Sequence, residues 1–218
     1  MSLWVKICAN TSLDDAWLAV DAGADALGFI FATSPRRVTS EQVAKITPHL
    51  PGTVEKIGVF VDAPLDEIVA TVHACGLTGV QLHSASGAEF PSRLRAEFGP
   101  ELRILHVVHF GPDAAQQARA YAADANVDGV LVDSRTATAV GGTGITFDWA
   151  EARRTVFGAA ATARLIAAGG LHPGNVAEAI ATLHPWGVDV ASGVEAAPGR
   201  KDPGKIHAFI ANARAASL

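Results

Sequence analysis

Short, almost wholly apolar runs recur along this chain about every 25 residues, each followed by a stretch with apolar positions at helical spacing. Strands without polar alternation are covered on both faces. In a strand–helix repeat this means a parallel sheet with helices packed against it. The runs are Leu3 to Cys8, Ala26 to Phe31, Val54 to Val61, Gly79 to His83, Leu102 to Val108, Val127 to Asp133, Leu165 to Ala168 and Val188 to Ala191. Eight such units predict a single (β/α)8 barrel, a TIM barrel, forming one domain over residues 1–218. A doubly wound open sheet is the rival. It ranks lower because no G-x-G-x-x-G follows the first strand and the glycine-bearing turns come last.

The last two units are the most informative. One run stops at Gly169-Gly170 and the next at Ser192-Gly193, and between them Val176, Ala177, Ile180 and Leu183 share one helical face, with Pro173 expected in the first turn. Glycines after a buried strand let backbone N–H groups approach a ligand closely, and in barrels the loops after strands seven and eight often hold phosphate. The plainer alternative is that these glycines only make turns.

Composition narrows the partners. The 218 residues are 49% hydrophobic and 18% charged, with a net charge of -5 and no basic stripe, which argues against nucleic acid. Apolar runs break off well short of the ~20 residues needed to cross a bilayer, so no membrane partner is expected. Two cysteines, Cys8 and Cys75, and an N-terminus without a basic-then-apolar pattern predict a cytoplasmic protein. The histidines show no H-x-H or H-E-x-x-H spacing, so neither a metal nor another cofactor is expected. A small phosphorylated substrate fits best, on a monomer or weak homodimer.

Barrel chemistry sits at the C-terminal ends of the strands, so the polar residues there are the candidates. Cys8 ends the first strand, with Trp4 and Lys6 on the same face; it is either a buried hydrophobe or a base whose thiolate fraction the nearby ammonium raises. Lys6 is expected to pair with Asp189 on the adjoining eighth strand. Asp133 ends the sixth strand; it either caps the following turn or is a shielded carboxyl able to deliver a proton. Arg36, in SPRRV, is either a solvated surface charge or a bidentate partner for a ligand anion. His83 ends the fourth strand as a ligand contact or a core histidine. Cys75, beside Gly76 at a helix end, reads as a buried hydrophobe. An acid and a base at one mouth suit metal-free isomerisation of a sugar phosphate.

Taken together, the sequence closely resembles the phosphoribosylanthranilate isomerases. The resemblance rests on KIC at Lys6 to Cys8, GADALGFIF at Gly23 to Phe31, SPR at Ser34 to Arg36, IGVFV at Ile57 to Val61 and VQLH at Val80 to His83. It continues through VDS after Leu131, GGTG with TFDW at Gly141 to Trp149, AGGL at Ala168 to Leu171, NVAEAI, VDVASGVE and PGRKDP. It implies an Amadori rearrangement of N-(5-phosphoribosyl)anthranilate, with Asp133 as general acid, Cys8 as base, Arg36 on the anthranilate carboxylate, and Gly169, Gly170, Ser192 and Gly193 on the phosphate. Departures from the family pattern stand at Ala9, where it has glycine, at Asn10, at Ser84, and at Ile145, where it has lysine. A related sugar-phosphate isomerase of relaxed specificity, or a binding paralogue without turnover, are the alternatives.

Overall fold

The computed structural model describes residues 3–83, 89–134, 148–158 and 163–217. Eight parallel strands close into a barrel: β1 (Trp4–Ile7), β2 (Ala26–Ile30), β3 (Glu55–Val61), β4 (Gly79–His83), β5 (Arg103–His109), β6 (Gly129–Asp133), β7 (Leu165–Ala168) and β8 (Gly187–Val190). Pairing of Lys6 with Asp189 and of Ile7 with Val190 makes the closing seam between β1 and β8. The helices are α1 (Leu13–Asp21), α2 (Ser40–Ala44), α3 (Leu65–Cys75), α4 (Glu89–Phe98), α5 (Ala114–Ala123), α6 (Trp149–Ala152), α7 (Val176–Leu183) and α8 (Pro203–Ala216). Every strand expected from its apolar run is present.

Alternate residues of each strand face opposite sides, which divides the core in two. Val5, Ile7, Leu27, Phe29, Phe60, Val80, Leu82 and Ile104 point outward and are buried against the helices. Inside, Trp4, Ala26, Ile57, Leu105, Leu131 and Ile166 form an apolar floor. Above it the interior turns polar: Lys6, Gln81 and Asp189 are all buried there, and Lys6 donates to both of the others. The apolar floor therefore sets the depth to which the mouth can be polar.

Local chemistry sets the helix boundaries. Ser12 caps α1 by accepting from Asp15 N, Thr39 and Gln42 form a capping box on α2, and Asp202 caps α8 with Pro203 next to it. The helix expected from Pro173 begins only at Val176. Residues 172–175 form a turn in which the Asn175 side chain accepts from His172 N and donates to Gly170 O, holding the glycine turn rather than extending the helix. The sixth helix, expected as far as Phe157, leaves α geometry at Arg153, where the Thr155 hydroxyl donates to Glu151 O and the turn widens into a π-helix.

One element was not expected at all. After β8 a 3-10 turn, Ser192–Val194, leads into a hairpin of β9 (Glu195–Ala197) and β10 (Arg200–Lys201). The hairpin carries two buried charges, Glu195 and Lys201. Ser84, the glycines of GGTG and Ile145 lie outside the described residues.

Candidate active site

A cavity opens at the C-terminal ends of the strands, lined by Cys8, Arg36, His83, Asp133, Gly169, Gly170 and Ser192 among others. Seven of the eight residues singled out from the sequence thus meet in one place. The eighth, Gly193, is not on the lining: it sits behind the rim, where a Cβ would run into the Leu171 carbonyl. Its role is close backbone approach between the two glycine turns.

Cys8 follows β1 and is buried. The strand ends sharply because Ala9 takes a left-handed conformation, φ 64°, and Asn10 turns back to donate to Ile7 O at 2.8 Å. Space for the thiol comes from Gly28 on the neighbouring strand, where a Cβ would lie 2.6 Å from the sulfur and 3.1 Å from Lys6 Cε. Any larger residue at 28 displaces the thiol or the lysine.

Lys6 and Asp189 form the expected pair at 2.8 Å, and Lys6 also donates to Gln81 Oε1 at 2.9 Å. Burial alone would lower the lysine, but Asp189 and Cys8 hold it above its ordinary value. The ammonium favours the thiolate, as expected, but it does not decide the net shift. Burial pushes the Cys8 thiol up by more than the cations Lys6 and Lys201 draw it down, and Asp189 adds to the rise. Much of the lysine's field is already committed to its own carboxylate. The result is a scarce thiolate, but one of high proton affinity.

Asp133 ends β6 and is almost wholly buried. Its wall of the cavity is shaped by Gly169, φ 82°, since a Cβ there would strike Ser134 and reach 2.5 Å from Asp133 Oδ1. Glycine at 169 therefore serves the carboxyl as well as the turn. His83 ends β4 with its Nε2 2.8 Å from Gln81 Nε2. On the arc opposite β7 and β8 the lining is apolar, from Ile30, Val59 and Val61, with Arg36 beside it.

Sequence reading missed Gln81, Glu195 and Lys201. Glu195 accepts from Arg36, and Lys201 donates to the carbonyls of Cys8 and Ala191, so the hairpin ties the ends of β1 and β8 together. Gln81 could have been found, since it lies two residues before His83 and so on the same strand face. Glu195 and Lys201 lacked any such signal. Cys75 is buried under Ser40 O, as expected of a structural thiol. Among the described residues no cluster of histidine, cysteine and carboxylate could hold a metal, and no helix is long and apolar enough to cross a membrane.

The chain is similar to known proteins in both sequence and fold. Residues 5–212 match the sequence model described as N-(5'phosphoribosyl)anthranilate (PRA) isomerase. The N-(5'-phosphoribosyl)anthranilate isomerase of Pelobacter propionicus is 47% identical over 207 residues, covering 94% of this chain and 93% of its own. The solved isomerase from Thermotoga maritima superposes with a TM-score of 0.83 at 35% identity, covering 98% of this chain and 99% of that one. A solved isomerase in complex with reduced 1-(o-carboxyphenylamino)-1-deoxyribulose 5-phosphate superposes at 0.80 with 34% identity, again covering 98% and 99%. With sequence and fold matching from end to end of the relatives, this chain belongs to the N-(5'-phosphoribosyl)anthranilate isomerase family.

Proposed function

We propose that this cavity carries out the Amadori rearrangement of N-(5'-phosphoribosyl)anthranilate with Asp133 as general acid and Cys8 as base. The observation that carries the reading is the shared lining: both side chains border one cavity, on strands separated around the barrel by β7 and β8. Asp133 gives its proton to the furanose ring oxygen as the C1–O bond breaks, which opens the ring to a Schiff base. The Cys8 thiolate then removes the proton from C2, and the resulting enolamine tautomerises to 1-(2-carboxyphenylamino)-1-deoxyribulose 5-phosphate. Atoms balance without an oxidant or a metal: the proton lost from C2 is matched by one gained at C1, the double bond moves from the C1 imine to the C2 oxygen, and the proton released by the enol hydroxyl restores the acid. High proton affinity in the buried thiolate favours the second step, with Lys6 beside it as counter-ion.

The substrate's two ends are read by opposite arcs. Gly169, Gly170 and Ser192 offer backbone N–H groups to the phosphate, with Gly193 behind them letting the two turns approach. The aromatic ring lies against Ile30, Val59 and Val61, where the exposed face of Arg36 meets its carboxylate. His83 adds a further contact to the bound substrate. A cytoplasmic site of action and a monomeric or weakly dimeric state belong to the same reading. Both cysteines are free, and among the described residues only Trp17 and Val61 are large exposed apolar side chains.

The test is the fall of anthranilate fluorescence as the purified protein converts the phosphoribosyl adduct. Asp133→Asn and Cys8→Ser are each expected to lose on the order of a thousandfold in kcat. Full turnover in both variants would exclude the assignment.

A further inference from the structure

Across the barrel interior runs a chain of contacts: Asp189 to Lys6 at 2.8 Å, Lys6 to Gln81 at 2.9 Å, and Gln81 to His83 at 2.8 Å. Each link restricts the next. A lysine ammonium has three donors and no acceptor, so the atom of Gln81 facing it must be the carbonyl oxygen. Lys6 is fully buried and held by a carboxylate, which keeps it charged and fixed in place. The Gln81 amide is thereby oriented by chemistry, and the group left to face His83 is its NH2, a donor.

A donor opposite His83 Nε2 requires a lone pair there. The ring proton must then sit on Nδ1, since a proton on Nε2 would set N–H against N–H in a buried site. We propose that Gln81 is a positioning residue that locks His83 as the neutral Nδ1–H tautomer, so that His83 meets the substrate as an uncharged hydrogen-bond donor and takes no part in proton transfer. The inference rests on the function proposed above for its substrate, but not for its tautomer.

His83 and Asp133 line the same cavity, and the ring of His109, which is paired in register with Asp133, lies tilted at 6.0 Å from the His83 ring. With His83 held uncharged, the positive charge beside the thiol stays one layer deeper, on Lys6.

The experiment uses protein labelled with 15N-histidine, with His83 assigned by its disappearance in His83→Gln. In the native protein the His83 Nδ1 signal is expected at the pyrrole type and Nε2 at the pyridine type. In Gln81→Glu a carboxylate can accept from both neighbours, and the two types should exchange places. In Gln81→Met, which offers His83 no donor, the two types should average. KM is expected to rise on the order of tenfold in Gln81→Met with kcat nearly unchanged. An Nε2–H tautomer in the native protein, or an unchanged pattern in Gln81→Glu, overturns the proposal. So does a loss confined to kcat in Gln81→Met, which would make His83 a proton carrier. The nitrogen signals do not depend on turnover, so failure of the lock and failure of the proposed reaction are separable.

Discussion

Arg36 donates through Nε and Nη2 to both carboxylate oxygens of Glu195, at 2.9, 2.9 and 2.7 Å, joining the loop after β2 to the hairpin after β8. The fork engages one edge of the guanidinium and leaves Nη1 for a ligand. Side-chain exposures of 11% and 4% mean that water does little to replace a lost partner. Glu195→Gln keeps the shape but strands two cations, Arg36 and Lys201. Removing one partner of a buried pair typically costs on the order of 3 kcal/mol, which should appear as a lower urea midpoint. KM should rise together with it as Arg36 loses its orientation. Native stability in Glu195→Gln would show that the pair is idle.

Cys8 and Lys6 can be separated by alkylation. In a Cys75→Ala background the reaction rate against pH reports Cys8 alone. Lys6→Met removes the cation that opposes burial and leaves Asp189 uncompensated, and both changes act in the same direction. The profile should move to higher pH, with slower reaction at any fixed pH below it. An unmoved profile would mean that the ammonium does not act on the sulfur.

His106 makes acid stability testable. It faces outward from β5, fully buried and stacked on Tyr121 at 3.5 Å, and burial lowers its pKa from 6.5 to about 4. Between those values the unfolded chain binds a proton that the folded one refuses. Stability therefore rises with pH across that window and is lost as pH falls from about 6.5 toward 4. The full shift corresponds to about 3 kcal/mol, and His106→Phe should flatten that part of the profile in urea titrations. A slope that survives the substitution would point to other groups.

Ala9 holds a left-handed φ of 64° beside the thiol, where the family pattern has glycine. The Cβ costs on the order of 1 kcal/mol in that conformation, part of it offset by the greater unfolded-state freedom of glycine. Ala9→Gly should raise Tm by a few degrees without altering kcat. A lower Tm would show that the Asn10 hydrogen bonds, rather than backbone preference, set the turn.

The barrel was legible because each strand is apolar on both faces, and that pattern survives in sequence however the chain is folded. Asp133, Cys8 and the glycine turns were legible because they sit at strand ends, the one place in this architecture where position implies chemistry. The sign of the Cys8 shift was not. It depends on how much of the Lys6 field is spent on Asp189 and on how completely the thiol is buried, both set by residues far away in sequence. The hairpin from Glu195 to Lys201 left no signal, because its two strands are too short to show alternation and its charges read as surface residues. The turn at 172–175 was read as helix because Pro173 suits a first helical turn as well as it suits this one.

Lys201 hooks the carbonyl of Cys8 across 193 residues of chain. During translation the strand bearing the thiol emerges long before the lysine that secures it. A nascent polypeptide stalled short of the hairpin would have its barrel wall but no anchor on the carbonyl beside the thiol, so that corner is completed only once Lys201 has been made.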